Sequence, residues 1–321
     1  NDDFSPPGRF VFCIMISSGS VAPGCPVHGN DVLHGKFGNE DVGSFADGNT
    51  MAAGRDGMTM DVAVLTIFPE MFERFWTHGI VRRAIEQGQL KGDAIDIRAY
   101  AEDRHKVTDD RPYGGGCGMV MKPEPLAKAL RAARARMPEA VTLLMTPQGR
   151  PFSQQTAAEL ARRRGLIFIC GRYEGVDERV TQRFVDDEIS IGDYVLTGGE
   201  LPAMVIVDAV VRLIPGVLGG QDSAAKDSFA DGLLEHAHYT RPPVFEGQPV
   251  PDVLLSGNHA AIDQWRLEAA LVRTFLKRPE LLEDRVFSEQ ELAILRKWSR
   301  KLENLIKVQS ACCTDPLSGH Q

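Results

Sequence analysis

Residues 166–175 read LIFICGRYEG, an apolar run that ends in a glycine-bounded loop. A short apolar run flanked by glycine is typical of a strand that is buried on both faces of a sheet. Gly171 and Gly175 allow the backbone to come close to a ligand and to take positive φ. This stretch therefore predicts a central strand with a binding loop at its carboxyl end.

Two further segments repeat this arrangement. An apolar strand is predicted at 141–145 and is followed by TPQG at 146–149. Another is predicted at 188–191 and runs into IGDYVLTGGE at 191–200. Open α/β sheets bind ligands at the carboxyl ends of their strands. We therefore expect the three glycine loops to converge on one pocket.

Strand and helix patterns alternate from residue 61 onward. This alternation predicts an α/β domain with a mainly parallel sheet that helices cover on both faces. The predicted strands lie at 62–68, 94–100, 141–145, 166–170 and 188–191. Helices are predicted at 125–137, 153–164 and 201–214, and two more are predicted to begin at Pro69 and at about residue 177.

The remaining sequence divides by composition and periodicity. Helical periodicity returns at 260–276 and 288–306, where Ser288 and Glu291 form a capping-box pattern. The predicted organisation is a disordered or adventitious leader at 1–57, an α/β domain at 58–215, a linker at 216–256, a small helical domain at 257–308 and a tail at 309–321.

Composition narrows the functional classes. The net charge of −8 argues against indiscriminate coating of nucleic acid but permits a local basic patch. The six cysteines form no C-x-x-C pair, so we expect free thiols in a reducing cytoplasm and no metal site. The sequence contains no run of about 18 apolar residues, so no membrane-spanning helix is expected.

Common nucleotide fingerprints are missing from the sequence. It contains no Gly-Lys-Ser/Thr, and no G-x-G-x-x-G opens a helix after the first strand. A fourth loop, DDRPYGGGCGM at 109–119, is too rich in glycine for an ordinary turn. Its Arg111 and Tyr113 favour a contact with a ligand or with RNA over a disordered connector.

These four loops, together with DSAAKDSFADGL at 222–233 and HYTRP at 238–242, resemble the bacterial tRNA (guanine-N1)-methyltransferase family. The resemblance covers about residues 58–305, and GRYEGVDER with SIGDYVLTGGELPA carries its specificity. It departs at Cys117, where proline is common in the family.

The resemblance implies a trefoil-knot (SPOUT) fold, although knots are rare among proteins. It further implies a homodimer with its sites at the interface, S-adenosyl-L-methionine as methyl donor, and tRNA as substrate, with the guanine immediately 3′ of the anticodon as the target. It leaves Mg²⁺ as an optional second cofactor, for which no ligand cluster in the sequence identifies a site.

The resemblance also assigns site residues by position. Asp227 matches the general base, Arg212 matches its partner on the guanine, and Ser223 with the stretch at 238–239 belongs to a linker that orders over the substrate. The cofactor pocket comprises Pro147, Gly171, Tyr173, Glu174, Ile191, Gly192, Asp193, Tyr194, Val195, Leu196, Gly198 and Gly199.

The chemistry of guanine is consistent with this pair. Guanine N1 carries a proton and becomes nucleophilic as that proton leaves, so a neighbouring carboxylate can act as base. Negative charge then grows toward O6, where a guanidinium stabilises it. The target base has to leave its stack to reach such a pocket.

The residues themselves leave alternatives open. The position of Asp227 in a polar linker favours an ordinary solvated aspartate. The position of Arg212 on a mostly apolar helix favours a structural ion pair. Cys170 at the end of a buried strand is expected to be a core residue. A dense basic cluster favours either a tRNA backbone contact or a solvated helix surface and comprises Arg266, Arg273, Lys277, Arg278, Arg296, Lys297, Arg300 and Lys301.

Three other functions compete with guanine-N1 methylation. A knotted methyltransferase acting on a ribose 2′-hydroxyl is disfavoured by the DSFADG segment and the helical domain. A non-catalytic RNA-binding sensor has no need of both Asp227 and Arg212. A nicotinamide oxidoreductase lacks the phosphate fingerprint.

Overall fold

A five-stranded, wholly parallel sheet forms the centre of the molecule. The computed structural model describes residues 59–219, 224 and 227–312. The strands of the sheet are Met60–Thr66 (β1), Leu90–Asp96 (β2), Val141–Pro151 (β5), Gly165–Cys170 (β6) and Asp187–Ser190 (β7). They follow the order β2-β1-β6-β5-β7, so β6, β5 and β7 are direct neighbours.

Helices cover both faces of this sheet. They are Glu70–Trp76 (α1), Gly79–Glu86 (α2), Pro123–Arg136 (α3), Gln154–Ala161 (α4), Glu178–Phe184 (α5) and Glu200–Val211 (α6). As predicted, Ser153 caps α4, because its hydroxyl oxygen accepts a hydrogen bond from the Thr156 backbone N–H.

Alternating side chains of the central strands fill two separate cores. Leu166 and Phe168 of β6 pack on one face with α1, α2, α4 and α6. Ile167 and Ile169 pack on the other face with α3 and α5. All six residues of β6 are buried, which confirms the prediction of a central strand covered on both sides.

The predicted second strand was placed too late in the sequence. The alternation at 94–100 suggested a strand, but β2 ends at Asp96 and a 3₁₀ turn occupies Ile97–Tyr100. The Asp96 carboxylate accepts a hydrogen bond from the Arg98 backbone N–H, and this local bond favours a turn over continued pairing. Helix α2 was not predicted, although its buried residues Val81 and Ala84 are three positions apart, a spacing that places them on one helix face.

The described residues of the region at 216–256 include three short elements. A two-stranded hairpin joins Val244–Phe245 (β8) to Gln248–Pro249 (β9), and a single helical turn covers Asp252–Leu255 (α7). Another short hairpin earlier in the chain pairs Asp109–Asp110 (β3) with Val120–Met121 (β4).

Two long helices form the carboxyl-terminal part of the described chain. They are His259–Lys277 (α8) and Glu289–Cys312 (α9), and Leu271 and Ile294 lie in the small core between them. The capping box is confirmed, since Ser288 and Glu291 each accept the other's backbone N–H. Helix α9 extends past the predicted end at 306.

Some predictions fall outside the described residues. These are the leader at 1–57, Ser223 and the end of the tail at 313–321. Within the part of the chain that the structure describes, no helix has the length and apolarity needed to span a bilayer.

Candidate active site

A cavity of about 290 Å³ opens where the three adjacent strands β6, β5 and β7 end. The loops that follow these strands provide most of its wall, as the sequence predicted. It is lined by Leu144, Met145, Thr146, Pro147, Gln148, Gly171, Arg172, Tyr173, Glu174, Gly175, Val176, Ile189, Ser190, Ile191, Gly192, Tyr194, Val195, Leu196, Thr197, Gly198, Gly199 and Pro202.

The first loop protrudes from strand β5 as an irregularity of the strand. Pairing with β7 breaks after Met145 and resumes at Arg150, so the intervening residues leave the sheet. Gly149 lies so close to β7 that an added Cβ would stand 2.3 Å from the Ile189 backbone nitrogen. Glycine is therefore required for this loop to sit against its neighbouring strand.

The second loop follows β6 and carries backbone strain. Tyr173 adopts a positive φ of 60°, which is unusual for a residue with a side chain, and its side chain is 52% exposed. Such strain is common at ligand sites, where the surrounding structure holds it. The loop thus presents an aromatic ring at the cavity in a fixed backbone conformation.

The third loop packs directly on the second. The Gly199 N–H donates to the Gly171 carbonyl over 2.9 Å, and Gly198 forms a bridge with Arg172. A Cβ on Gly199 would lie 2.7 Å from the Cys170 Cα. The two glycines therefore let the segment before α6 touch the carboxyl end of β6.

A buried ion pair connects these two loops to the sheet. The Arg172 guanidinium lies 2.9 Å from a Glu200 carboxylate oxygen, and Glu200 is only 1% exposed. The Thr66 hydroxyl donates to the other carboxylate oxygen over 2.7 Å. The Arg172 guanidinium also stacks on the Phe68 ring. One contact network thus fixes β1, the second loop and the start of α6 relative to each other.

Cys170 is unsuited to nucleophilic chemistry. The side chain is fully buried at the end of β6, and this burial raises the pKa of its thiol well above the ordinary value. The nearby Glu200 carboxylate acts in the same direction. A reactive thiol needs a depressed pKa and access to solvent, so Cys170 fits its predicted role as a core residue.

The fourth, glycine-rich loop borders the same region. Its backbone meets the second loop, since the Glu174 N–H donates to the Met119 carbonyl over 3.0 Å. At Gly118, which has φ of 84°, a Cβ would overlap the Glu174 side chain. Tyr113 at the tip of the loop is fully exposed. The loop therefore supports the cavity wall on one side and offers an aromatic ring to solvent on the other.

All but one of the predicted cofactor residues line the cavity. The exception is Asp193, which lies between the lining residues Gly192 and Tyr194. The prediction omitted Arg172 and Thr197, which also line it. Both lie inside the predicted loops, so their positions alone could have indicated them.

The predicted catalytic pair lies together, but away from this cavity wall. An Arg212 guanidinium nitrogen is 2.5 Å from an Asp227 carboxylate oxygen, and both side chains are partly exposed. The turn that holds Asp227 closes through a hydrogen bond from the Ala230 N–H to the Asp227 carbonyl. Neither Arg212 nor Asp227 is among the described residues that line the cavity.

A second depression of about 360 Å³ lies beside β5 and β7. Its charged groups already satisfy each other, because Arg150 lies 2.9 Å from Asp187. The hydrogen bond to Asp187 raises the pKa of Arg150 further above its ordinary value. The depression is open and polar, so we assign the site to the cavity at the strand ends.

The basic cluster of the helical part lies on α8, at Arg278 directly after α8, and on α9, and all of its members except the half-buried Arg273 are exposed. Three of its members pair with carboxylates, namely Arg266 with Asp263, Arg278 with Glu280 and Lys297 with Glu268. Exposed pairs of this kind contribute little to stability and exchange readily for other anions. The cluster is therefore available to a polyanion.

Comparisons with known proteins identify the family of this chain. A family sequence model described as "tRNA (Guanine-1)-methyltransferase TrmD" matches residues 60–284. A tRNA (guanine-N(1)-)-methyltransferase of Desulfatibacillum aliphaticivorans is 55% identical over 259 residues, which cover 81% of this chain and 99% of that protein. The corresponding proteins of Syntrophotalea carbinolica and Staphylococcus epidermidis are 56% and 53% identical, over 75% and 76% of this chain and 97% and 100% of their own lengths. The chain belongs to the tRNA (guanine-1)-methyltransferase family.

Proposed function

We propose that this protein transfers a methyl group from S-adenosyl-L-methionine to N1 of the guanine immediately 3′ of the anticodon in tRNA. One observation carries the proposal for this chain: three glycine loops from adjacent parallel strands wall a single cavity. Family membership supplies the reaction class, and the cavity supplies the place for the donor.

The cavity fits such a donor by its chemistry. Gly171, Gly198 and Gly199 line the cavity without side chains, so a donor can approach the backbone of these loops closely, as recognition of an adenine and an amino-acid arm by N–H and C=O groups requires. Tyr173, Tyr194 and Leu196 add apolar surface. When bound, S-adenosyl-L-methionine supplies an electrophilic methyl group, so the protein needs no nucleophile of its own.

Asp227 and Arg212 act on the guanine in this proposal. The Asp227 carboxylate accepts the proton from guanine N1, and the Arg212 guanidinium donates to O6, where negative charge accumulates. Their contact at 2.5 Å supports this proposal, because it places the two groups close enough to act on one base. On the Watson–Crick edge of guanine, N1–H can donate to the Asp227 carboxylate and O6 can accept from the Arg212 guanidinium. This edge can therefore enter between the two side chains.

The proposal includes a homodimer that completes each site with residues of a second copy. The exposed face of α6 supports it, since Leu201 and Val205 are about half exposed and lie on the helix face that leads to Arg212. Because Arg212 and Asp227 lie off the wall of the cavity of their own chain, a second copy is the natural source of the pair.

The remaining parts of the proposal concern the fold and the substrate. We include a deep trefoil knot, which the family resemblance implies. We assign tRNA backbone binding to the basic cluster of α8 and α9 and place the reaction in the cytoplasm. Mg²⁺ stays an optional second cofactor, and the one cluster of three metal-ligating side chains among the described residues contains two imidazoles, which Mg²⁺ disfavours.

Transcripts that differ only in the base after the anticodon test this function. With labelled S-adenosyl-L-methionine, we expect transfer to the transcript with guanine there and none to the one with adenine. Nuclease digestion should then yield 1-methylguanosine as the only labelled nucleoside. Equal labelling of both transcripts, or label on a ribose, would refute the proposal.

A further inference from the structure

A small cluster of metal-binding side chains lies in the linker, outside the cavity. Glu235, His236 and His238 each offer a ligand atom, and these atoms lie within 4.8 Å of one another. The His238 Nε2 and a Glu235 carboxylate oxygen are 2.9 Å apart, and the two imidazole rings have centroids 4.6 Å apart. Among the described residues, this is the one group of three or more such side chains that could hold an ion.

The backbone around the cluster is held against the helical part. Leu233 is 3% exposed in the core with α8 and α9, and the Leu234 N–H donates to the Thr274 hydroxyl over 2.9 Å. On the other side, the rings of His236 and Tyr239 each lie 6.2 Å from the Trp265 ring. The ligands thus stand on a short segment that is anchored at both ends.

A hydrogen bond prepares His236 as a ligand. Its Nδ1 lies 3.2 Å from the Ala237 carbonyl oxygen, and a carbonyl can only accept. Nδ1 is therefore the donor in this contact, which leaves Nε2 as the candidate ligand atom. Histidines that bind metals commonly donate their other ring N–H to a carbonyl or carboxylate in this way.

We propose that Glu235, His236 and His238 bind one divalent transition-metal ion such as Zn²⁺, with an open position for water. Two imidazoles and a carboxylate are a donor set that suits Zn²⁺ and disfavours Mg²⁺ and Ca²⁺. Tetrahedral zinc places its ligand atoms about 3.4 Å apart, so the present spacing needs only small side-chain rotations. Metal binding here does not depend on the proposed methyl transfer, although His238 also belongs to the linker that the family resemblance assigns to the substrate.

Metal binding would stiffen the linker between the turn that holds Asp227 and the HYTRP segment at 238–242. Without metal, Glu235 and His238 make only a partly exposed side-chain contact, with side chains 31% and 65% exposed, and this contact holds the segment weakly. An ion bound by three side chains would replace it with a stronger crosslink. The ion would therefore crosslink the linker and keep one position for an exchangeable water.

Calorimetric titration of the chelator-treated full chain with Zn²⁺, and separately with Co²⁺, tests the proposal. We compare wild type with Glu235→Gln and His236→Ala, and use His105→Gln in an exposed loop as the matched control. Each ligand variant should weaken one binding event by about 100-fold or more. The control should bind the metal as wild type does. A titration of wild type with Mg²⁺ should lack the binding event that the ligand variants weaken.

Nuclear magnetic resonance of the wild-type protein with Co²⁺ keeps the test independent of folding defects in the variants. The ring protons of His236 and His238 should broaden before those of His78, His105 and His259. Unchanged isotherms in both ligand variants, or equal broadening of these five of the eight histidines, would overturn the proposal.

Discussion

At the scale of single residues, the Arg212–Asp227 contact links the sequence prediction to the proposed chemistry. The sequence alone favoured a solvated aspartate and a structural ion pair, and only the family resemblance assigned them to guanine. The structure brings the two side chains to 2.5 Å, a spacing that no local pattern could have indicated because 14 residues of chain separate them. Whether they act on guanine stays a prediction.

Replacing Asp227 with asparagine removes a proton acceptor while preserving the shape of the side chain. We expect the rate of methyl transfer to fall by about 10²–10⁴-fold, the usual contribution of a general base. The affinity for S-adenosyl-L-methionine should stay near that of wild type, because Asp227 does not line the cavity. Single-turnover kinetics and calorimetry measure the two quantities. A variant that keeps its rate but loses affinity for the donor would contradict the assignment.

The Glu200 side chain is expected to stabilise the site more than any surface ion pair does. Truncation to alanine leaves the Arg172 guanidinium without its buried partner, so the free energy of unfolding should fall by about 3–5 kcal/mol. As a control, Arg164→Ala breaks the exposed 2.9 Å pair with Glu139 and should cost less than about 1 kcal/mol. Denaturant titration measures both. Equal losses would show that the buried network does not hold the loops.

At the scale of elements, the strands were easier to predict from sequence than the contacts between loops. Strand β6 was predicted almost to its ends, because a run of apolar residues bounded by glycine has few other solutions. The boundary of β2 was missed because the Asp96 side chain starts a turn that the alternating pattern does not reveal. The close packing of Gly199 on Cys170 depends on tertiary structure. From the sequence, only the presence of a glycine that permits such a contact was visible.

That packing predicts a steric penalty at Gly199. An alanine there would place its Cβ 2.7 Å from the Cys170 Cα, which is backbone and cannot move aside, so the variant should lose measurable donor binding and unfold at lower denaturant. Gly171→Ala is the control for backbone fit, because its Cβ would meet Val176 at an ordinary 3.6 Å. The control should keep wild-type stability in the same titration. Equal destabilisation would argue against close loop contact.

The start of α9 should respond to acid. Burial by itself raises the pKa of Glu291, but hydrogen bonds from Arg285 and Ser288 outweigh it and hold the pKa below its ordinary value of about 4.5. A carboxyl whose folded pKa is lowered stabilises the fold above its unfolded pKa and loses that contribution as pH falls. We therefore expect Glu291→Gln to narrow the difference in unfolding free energy between pH 7 and pH 3. An unchanged pH dependence would contradict this role.

At the scale of the whole molecule, the cavity and the Arg212–Asp227 pair occupy different parts of one chain. The described surface of α6 connects them with exposed apolar side chains, which is typical of an interface. Neither the homodimer nor the knot could be derived from composition or periodicity, since both depend on how distant segments pass each other. Both enter through the family resemblance and remain proposals.

A purified heterodimer tests the central claim most directly. One copy carries Asp227→Asn and the other Gly171→Leu, whose side chain fills the cavity, and two different affinity tags isolate the mixed species after co-expression. Each homodimer should be inactive, whereas the heterodimer has one cavity and one pair intact and should show about half of the wild-type methyl transfer. A heterodimer as inactive as both parents would mean that each chain must supply its own cavity and its own pair.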